Sequence, residues 1–301
     1  QSVRDALAGH DITHVFIGAW LRQKNEAENV RVNGGMVRSL FSAREGARNL
    51  AHVALVTGTK QYLGAFESYG KMTAETPFRE DSPRIPGENF YYTQEDIVFA
   101  AAEKQGFSWS VQRPHSIVGY ALGNAMNMGV TLAVYASICR ETGQPFVFPG
   151  SRFQWNSLTD MTDAEVLAKH LEWASTSSQA RNQAFNVVNG DVFRWRWLWP
   201  QLAAYFNVTP VEPPEGRAPL ETKMAGIAPV WEKIAAKHGL RENRVDTLAS
   251  WWHTDADLGR EIECVNDMTK SRLLGFDVYQ STPASFFRLF DRLKKEKIIP
   301  G

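Results

Sequence analysis

The chain has 301 residues, of which 44% are apolar and 12% aromatic, enough for a sizeable core in one large domain or two closely associated ones. Basic and acidic residues balance at 33 each, and no apolar run reaches the ~20 residues of a membrane span, so we expect neither a nucleic acid nor a membrane as partner. Two cysteines without metal-type spacing, Cys139 and Cys264, predict no metal site and favour the reducing cytoplasm.

Strand-like and helix-like segments alternate in the first part of the chain. The predicted elements, in order, are helix 2–8, strand 13–20, helix 26–43, strand 53–56, helix 93–105 and strand 107–112. We expect Arg113-Pro114 to end the last of these strands, because proline cannot continue a central ladder. The strand–helix–strand order predicts the βαβ units of a parallel sheet.

The second part of the chain is mainly helical and rich in aromatic residues. Its predicted elements are helix 121–140, strand 146–150, helix 162–175, strand 184–188 and helices 193–206, 220–237, 245–252, 269–274 and 284–297. Thr162 is the candidate N-cap of its helix, with Glu165 at the spacing of a capping box.

Together these patterns predict an α/β fold, a Rossmann-like doubly wound parallel sheet with a smaller, mainly helical substrate-binding cap. Residues 1–118 are predicted to form the later part of the dinucleotide-binding domain and 119–150 a cap segment. Residues 151–192 are predicted to return to the dinucleotide-binding domain, and 193–301 to form most of the cap.

A lysine and a tyrosine are the candidate catalytic residues. Lys60 follows Thr57-Gly58-Thr59 just past the strand at 53–56, and Tyr91 stands with Tyr92 at the mouth of a helix. A phenol and an ammonium held together can stabilise an oxygen that gains negative charge. We expect Lys60 to lie beside Tyr91 and to lower the pKa of the phenol by its positive charge.

At these residues the chain resembles the progesterone 5β-reductase/iridoid synthase-like enzymes, an atypical branch of the extended short-chain dehydrogenases, and we expect a bacterial-type member. The resemblance extends over essentially the whole chain. It is carried by the segments Thr13-His-Val-Phe-Ile-Gly-Ala-Trp20, Thr57-Gly-Thr-Lys-Gln-Tyr-Leu-Gly-Ala-Phe-Glu67, Asn89-Phe-Tyr-Tyr-Thr-Gln-Glu-Asp96, Trp109-Ser-Val-Gln-Arg-Pro114, Phe185-Asn-Val-Val-Asn-Gly-Asp-Val-Phe193 and Ser250-Trp-Trp252.

The resemblance implies an NADPH-dependent reductase of carbon–carbon double bonds conjugated to a carbonyl. Hydride would go to the β-carbon, Tyr91 would hold the enolate oxygen, and Lys60 would support Tyr91. Ordinary short-chain dehydrogenases carry Tyr-x-x-x-Lys on one helix, but here Glu95 stands four residues after Tyr91. The ammonium would then be supplied from the strand end, by Lys60, and not from the helix.

The resemblance also implies further site residues. The implied cofactor-binding residues are Trp20, Thr57, Gly58, Pro114, His115, Ser116 and Ile117. The implied substrate-pocket residues are Trp20, Phe66, Met126, Asn127 and His253. A steroid, a monoterpenoid and a small cyclic enone all stay open as the substrate, and a homodimer is the expected assembly.

One expected element is not in the sequence. The Gly-x-x-Gly-x-x-Gly fingerprint that would hold the pyrophosphate does not occur, nor does the basic residue that would select NADPH. The family places both upstream of Gln1, so we expect this polypeptide to bind cofactor poorly without them.

Two alternatives stay open. A sugar-nucleotide epimerase or dehydratase would carry an intact Tyr-x-x-x-Lys and polar nucleotide-diphosphate contacts. A non-catalytic NADP-sensing regulator would need no lysine–tyrosine pair.

Overall fold

The computed structural model describes residues 2–7, 9–43, 49–65, 75–124 and 126–301. Its strands are β1 His14–Ile17, β2 His52–Val56, β3 Ser108–Pro114, β4 Ile117–Val118, β5 Phe146–Val147, β6 Thr162–Asp163, β7 Gln183–Val187 and β8 Pro210–Val211. Its helices are α1 Ser2–Leu7, α2 Glu26–Ala43, α3 Lys60–Leu63, α4 Phe90–Gln105, α5 Met128–Thr142, α6 Arg152–Asn156, α7 Ala164–Thr176, α8 Trp195–Phe206, α9 Leu220–Lys223, α10 Ala228–His238, α11 Val245–Leu248, α12 Trp251–Leu258, α13 Thr269–Leu273 and α14 Thr282–Lys295.

The chain divides into two compact units. The first consists of Gln1–His115, Val166–Val188 and Asn266–Val278, and the second of Ser116–Glu165, Asn189–Val265 and Tyr279–Gly301. The assignment of residues to a dinucleotide-binding domain and a cap at the predicted boundaries stays a prediction.

The first unit is built on a parallel sheet with the strand order β1-β2-β3-β7. Val53 pairs with Val15 on one side and with Trp109 on the other. Side chains such as Val53 and Val111 are fully buried, as expected for parallel strands that helices cover on both faces. The predicted α/β fold with a parallel sheet is therefore confirmed.

The second unit is mainly helical, with two short parallel strand pairs, β4–β6 and β5–β8. Its core is aromatic, and Trp199 stacks on Phe146 with 3.9 Å between ring centroids. Trp195 and Trp199 are buried in this core, whereas Trp197 is 54% exposed. Among the described residues, no helix combines the length and the apolar character that a membrane crossing requires.

Two local predictions need correction. Strand β3 ends at Pro114 as expected, but it continues past the predicted bound at 112, because Arg113 and Pro114 pair with Asn186 and Val187 of β7. Proline lacks only its own N–H and retains a carbonyl that accepts hydrogen bonds, so it is tolerated at the end of this strand. Thr162 is not an N-cap but a buried residue of β6, paired with Ile117.

The cap of α7 comes instead from the next residue along the chain. The Asp163 carboxylate accepts the backbone N–H of Glu165 at 2.8 Å.

Two predicted long helices are also interrupted. The segment 220–237 forms α9 and α10, which are separated by Gly226 at a φ of 73°, and 245–252 lies across α11 and α12.

Candidate active site

Lys60 begins the short helix α3, four residues after the end of β2. Its side chain is only 2% exposed, which is unusual for a lysine. Its Nζ donates to Glu26 Oε2 at 2.7 Å and lies 5.4 Å from the ring centroid of Phe90. Lys60 is thus a buried member of an ion pair at the carboxyl edge of the sheet, where open α/β sheets bind ligands.

Glu26 is a site residue that the sequence analysis missed. It begins α2 and is 7% exposed. Its Oε1 accepts the backbone N–H of Phe90 at 2.8 Å, and its Oε2 also accepts from the Asn29 amide at 3.1 Å. Two features could have pointed to Glu26. A buried ammonium needs a carboxylate partner, and Glu26 is an acidic residue in the first turn of the helix that follows β1.

Tyr91 lies in the first turn of α4, which begins at Phe90 rather than at residue 93 as predicted. The N-cap is Asn89, whose Oδ1 accepts the N–H of Tyr91 at 3.1 Å. The Asn89 amide also donates to the Lys60 carbonyl at 3.0 Å. Asn89 therefore joins the backbone of Lys60 to the start of the helix that carries Tyr91.

The hydroxyl of Tyr91 reaches the loop that leaves β2. A Cβ added to Gly58 would lie 3.3 Å from the Tyr91 hydroxyl oxygen and 3.2 Å from the Pro114 carbonyl oxygen. A side chain at position 58 would therefore require the hydroxyl or the carbonyl to shift by a few tenths of an ångström. The structure thus brings together Gly58, Tyr91 and Pro114, three of the predicted site residues.

The pKa of Tyr91 differs from the expectation. Burial, and after it the negative charge of Glu26, raise the pKa of Tyr91 above its ordinary value of 10.0. The expectation of a lowered pKa was wrong, because burial and the negative charge of Glu26 both disfavour the charged form of the phenol. Tyr91 is therefore a neutral phenol, able to donate a hydrogen bond.

Glu95 and Tyr92 have structural contacts close to this site. The buried Glu95 carboxylate binds Arg113 Nη2 at 3.2 Å and Arg84 Nη2 at 2.8 Å. The Tyr92 hydroxyl donates to the Gln61 carbonyl at 2.8 Å and accepts the N–H of Ile85 at 3.0 Å. The neighbouring tyrosine thus has its hydroxyl engaged by the backbone.

The other predicted cofactor-binding residues of the first unit also follow the strand ends. Trp20 is half-buried after β1 and stacks on Phe90 at 5.2 Å between ring centroids. The backbone N–H of Thr57 donates to the Gln112 carbonyl at 2.8 Å. His115, after β3, is 2% exposed. Their roles in binding stay predictions.

The remaining predicted residues belong to the second unit, except Phe66, which lies outside the described residues. Ser116 has a φ of 37°, and Ile117 lies in β4. Asn127 caps α5, because its side-chain oxygen accepts the N–H of Val130 at 3.1 Å. Met126 and His253 are half-buried, and His253 contacts Trp252 edge-on.

A nicotinamide dinucleotide fits part of this arrangement. The carboxyl ends of β1, β2 and β3 lie at one edge of the sheet, and the neutral hydroxyl of Tyr91 lies at this edge beside Gly58. Gly58 and Tyr91 would suit the nicotinamide end of such a cofactor. A glycine-rich turn that would hold its pyrophosphate does not occur in the sequence.

Curated proteins similar to this chain are plant enzymes. The (S)-8-oxocitronellyl enol synthase of Nepeta cataria is 40% identical over 293 residues, which cover 96% of this chain and 75% of that protein. The 3-oxo-Delta(4,5)-steroid 5-beta-reductase of Arabidopsis thaliana is 39% identical over 293 residues, with the same coverage of 96% and 75%. These matches confirm the resemblance inferred from the sequence.

Solved structures show the same fold at low identity. The enzyme WbmG of Bordetella bronchiseptica, solved in complex with NAD, superposes with a TM-score of 0.63 at 13% identity over 99% of this chain and 77% of that one. The UDP-glucuronic acid 4-epimerase of Bacillus cereus gives a TM-score of 0.62 at 12% identity, covering 98% and 79%.

A family model describes the chain from end to end. The PRISE-like Rossmann-fold domain matches residues 3–300. The chain therefore belongs to the PRISE-like Rossmann-fold family.

Proposed function

We propose that the protein is an oxidoreductase that carries out the NADPH-dependent 1,4-reduction of the carbon–carbon double bond of enones or enals. The proposal is supported by relatives named for a steroid 5-beta-reductase and for (S)-8-oxocitronellyl enol synthases at 39% and 40% identity. The observation that carries it is the protonated Tyr91 hydroxyl beside Gly58 at the carboxyl edge of the sheet.

The proposed chemistry assigns Tyr91 to the carbonyl oxygen of the substrate. When bound, the reduced nicotinamide supplies a hydride to the β-carbon, and the electron pair of the double bond moves toward the carbonyl oxygen. The Tyr91 hydroxyl donates a hydrogen bond to that oxygen and stabilises the negative charge it gains. A proton from solvent then converts the enolate to the saturated carbonyl product.

Lys60 supports Tyr91 from the ion pair with Glu26. The pair and the amide of Asn89 hold the ammonium-bearing residue against the first turn of α4. This arrangement limits the motion of the phenol and so keeps its hydroxyl oriented toward the reacting oxygen.

The cofactor and substrate class are parts of the same proposal. A nicotinamide dinucleotide is supported by the Rossmann fold of the family model. Four further parts of the proposal rest on the family resemblance. They are NADPH rather than NADH, a bulky apolar substrate with a single carbonyl, a cytoplasmic location and a homodimer.

Substitution of Tyr91 by phenylalanine tests the proposal. We expect Tyr91→Phe to lower kcat for a cyclic enone about 100- to 1,000-fold, measured by NADPH consumption, because one donor to the developing oxyanion is lost. Tyr92→Phe is the matched control, since its hydroxyl binds backbone at Gln61 and Ile85. It should keep the turnover of the unsubstituted protein and lose about 1 kcal/mol of stability.

Three results would contradict the proposal. One is wild-type turnover in the Tyr91→Phe variant. Another is epimerisation of a UDP-sugar without enone reduction, which would favour the epimerase alternative. The third is binding of NADP with no consumption of NADPH in the presence of steroid, monoterpenoid or cyclic enones, which would favour a sensor.

A further inference from the structure

The carboxylate of Glu26 is bound to both elements that carry the proposed catalytic residues. Its Oε2 accepts the ammonium of Lys60 in α3 at 2.7 Å. Its Oε1 accepts the N–H of Phe90, the residue before Tyr91, at 2.8 Å. Because the Glu26 side chain is 8% exposed and that of Lys60 2%, water does little to screen this arrangement.

We propose that Glu26 is a positioning residue, whose carboxylate holds the Lys60 ammonium in place and fixes the start of the helix that carries Tyr91. This proposal rests on the assignment of Lys60 and Tyr91 to enone reduction. Glu26 itself is not expected to touch the substrate, since both of its oxygens are occupied by protein donors.

The position of Glu26 suits the start of α4. The first backbone N–H groups of a helix have no partner within the helix and carry a partial positive charge. Glu26 satisfies the N–H of Phe90 with a full negative charge, while Asn89 satisfies that of Tyr91. The two side chains together fix the backbone from which the Tyr91 phenol extends.

The charge of Glu26 acts on Tyr91 as well. A tyrosinate close to a carboxylate is disfavoured, and Glu26 adds to burial in raising the pKa of Tyr91. Glu26 of α2 and Lys60 of α3 are charged groups at this turn. Further along α4, Glu95 binds Arg113 of β3 at 3.2 Å and Arg84 at 2.8 Å.

The consequence is a division of roles. Glu26 positions Lys60 and the start of α4, whereas Tyr91, a neutral phenol as tyrosine ordinarily is near neutral pH, donates the hydrogen bond. Loss of the carboxylate should therefore disturb the position of both elements and leave Lys60 without its counter-charge.

The test compares Glu26→Gln with Glu28→Gln. Glutamine retains the length of Glu26 and an acceptor for the Phe90 N–H but removes the charge. Glu28 lies in the same first turn of α2, is 33% exposed, and binds Arg31 instead. It therefore controls for the loss of one negative charge from this helix.

Two readouts are expected to change in Glu26→Gln. The kcat for a cyclic enone should fall about tenfold or more while KM stays within about twofold, because positioning and not substrate contact is lost. In the protein without substrate, the ¹⁵N resonance of the Lys60 ammonium, assigned with Lys60→Arg, should titrate at lower pH.

Glu28→Gln should leave both readouts unchanged. A Lys60 titration in Glu26→Gln that matches that of the unsubstituted protein would overturn the proposal. If the unsubstituted protein reduces no enone, the proposed function fails, whereas the Lys60 titration still decides whether Glu26 controls this ion pair.

A double variant covers the case in which Glu26→Gln does not fold. Glu26→Gln combined with Lys60→Met removes both charges, so that no uncompensated buried ion remains. It should fold where Glu26→Gln does not, and its enone reductase activity should stay low. A double variant that also fails to fold would show that the loss of Glu26 is not relieved by removing the Lys60 charge and would overturn the proposal.

Discussion

Glu95 of α4 binds Arg113 of β3 with 3.2 Å between Oε1 and Nη2, although it stands where a Tyr-x-x-x-Lys motif starting at Tyr91 would place its lysine. The same carboxylate binds Arg84 at 2.8 Å. Arg113 also donates to the Tyr62 hydroxyl at 3.2 Å, and that hydroxyl donates to Asn186 at 2.6 Å. The helix position of the usual lysine is thus part of a buried ion cluster, and the ammonium comes from α3.

Restoring the usual motif should therefore destabilise the protein. Glu95→Lys would put a third positive charge beside Arg84 and Arg113 in a buried place, and we expect a loss of at least about 3 kcal/mol. Asp96→Lys is the matched control, because Asp96 also binds Arg84 but its side chain is 62% exposed. It should cost about 1 kcal/mol or less. Urea unfolding of both variants measures the difference, and equal midpoints would contradict the structural role of Glu95.

Substitution of Lys60 should affect stability as well as turnover. Lys60→Met leaves the Glu26 carboxylate buried without the ammonium at 2.7 Å, and we expect a loss of about 3–5 kcal/mol together with most enone reduction. Lys60→Arg keeps the positive charge and should recover more stability than activity. Melting temperatures and NADPH consumption give the two measurements. A Lys60→Met variant as stable as the unsubstituted protein would argue against a buried ion pair.

Gly58 should be sensitive to a single methyl group. In Gly58→Ala the new Cβ would lie 3.3 Å from the Tyr91 hydroxyl oxygen and 3.2 Å from the Pro114 carbonyl oxygen, so one of them has to move by a few tenths of an ångström. We expect kcat to fall about tenfold or more through the displaced hydroxyl. Gly35→Ala, where a Cβ meets nothing within 4 Å, should leave kcat unchanged. Equal kcat values for the two variants would show that Tyr91 is not held against Gly58.

His170 should make stability depend on pH. Its ring is fully buried and contacts Trp173, Phe185 and Phe276 edge-on, and both ring nitrogens lack a hydrogen-bond partner within the described part of the chain. Burial lowers the pKa of His170 from 6.5 to about 3. Between these values the unfolded chain binds a proton that the folded protein does not, so stability falls as pH decreases from 6.5 toward 3.

The size of this effect at pH 5 is about 2 kcal/mol for His170 alone. His170→Phe should remove that share of the pH dependence, as measured by urea unfolding at pH 5 and pH 7. A dependence of similar size at pH 5 should persist from His52, whose pKa burial lowers to about 4. If His170→Phe loses as much stability on acidification as the unsubstituted protein, His170 does not titrate as described.

Local pattern in the sequence determined the parallel α/β fold, the bounds of α2 and the two candidate catalytic residues. These features depend on apolar periodicity and on short motifs, which neighbouring residues express directly. Local pattern gave a wrong prediction where pairing with a residue distant in the sequence decides the structure. Thr162 matched a capping box, yet it lies in β6 because it pairs with Ile117, and only the sheet register reveals this.

Only the tertiary structure decided the electrostatics of the site. Glu26 is separated from Lys60 by 34 residues and from Phe90 by 64, and no local spacing connects them. The strand order brings the start of α2 next to the end of β2 and the start of α4. Since the partner of a buried charge is set by what packs against it, the raised pKa of Tyr91 and the position of the Lys60 ammonium follow from the fold and not from the motif.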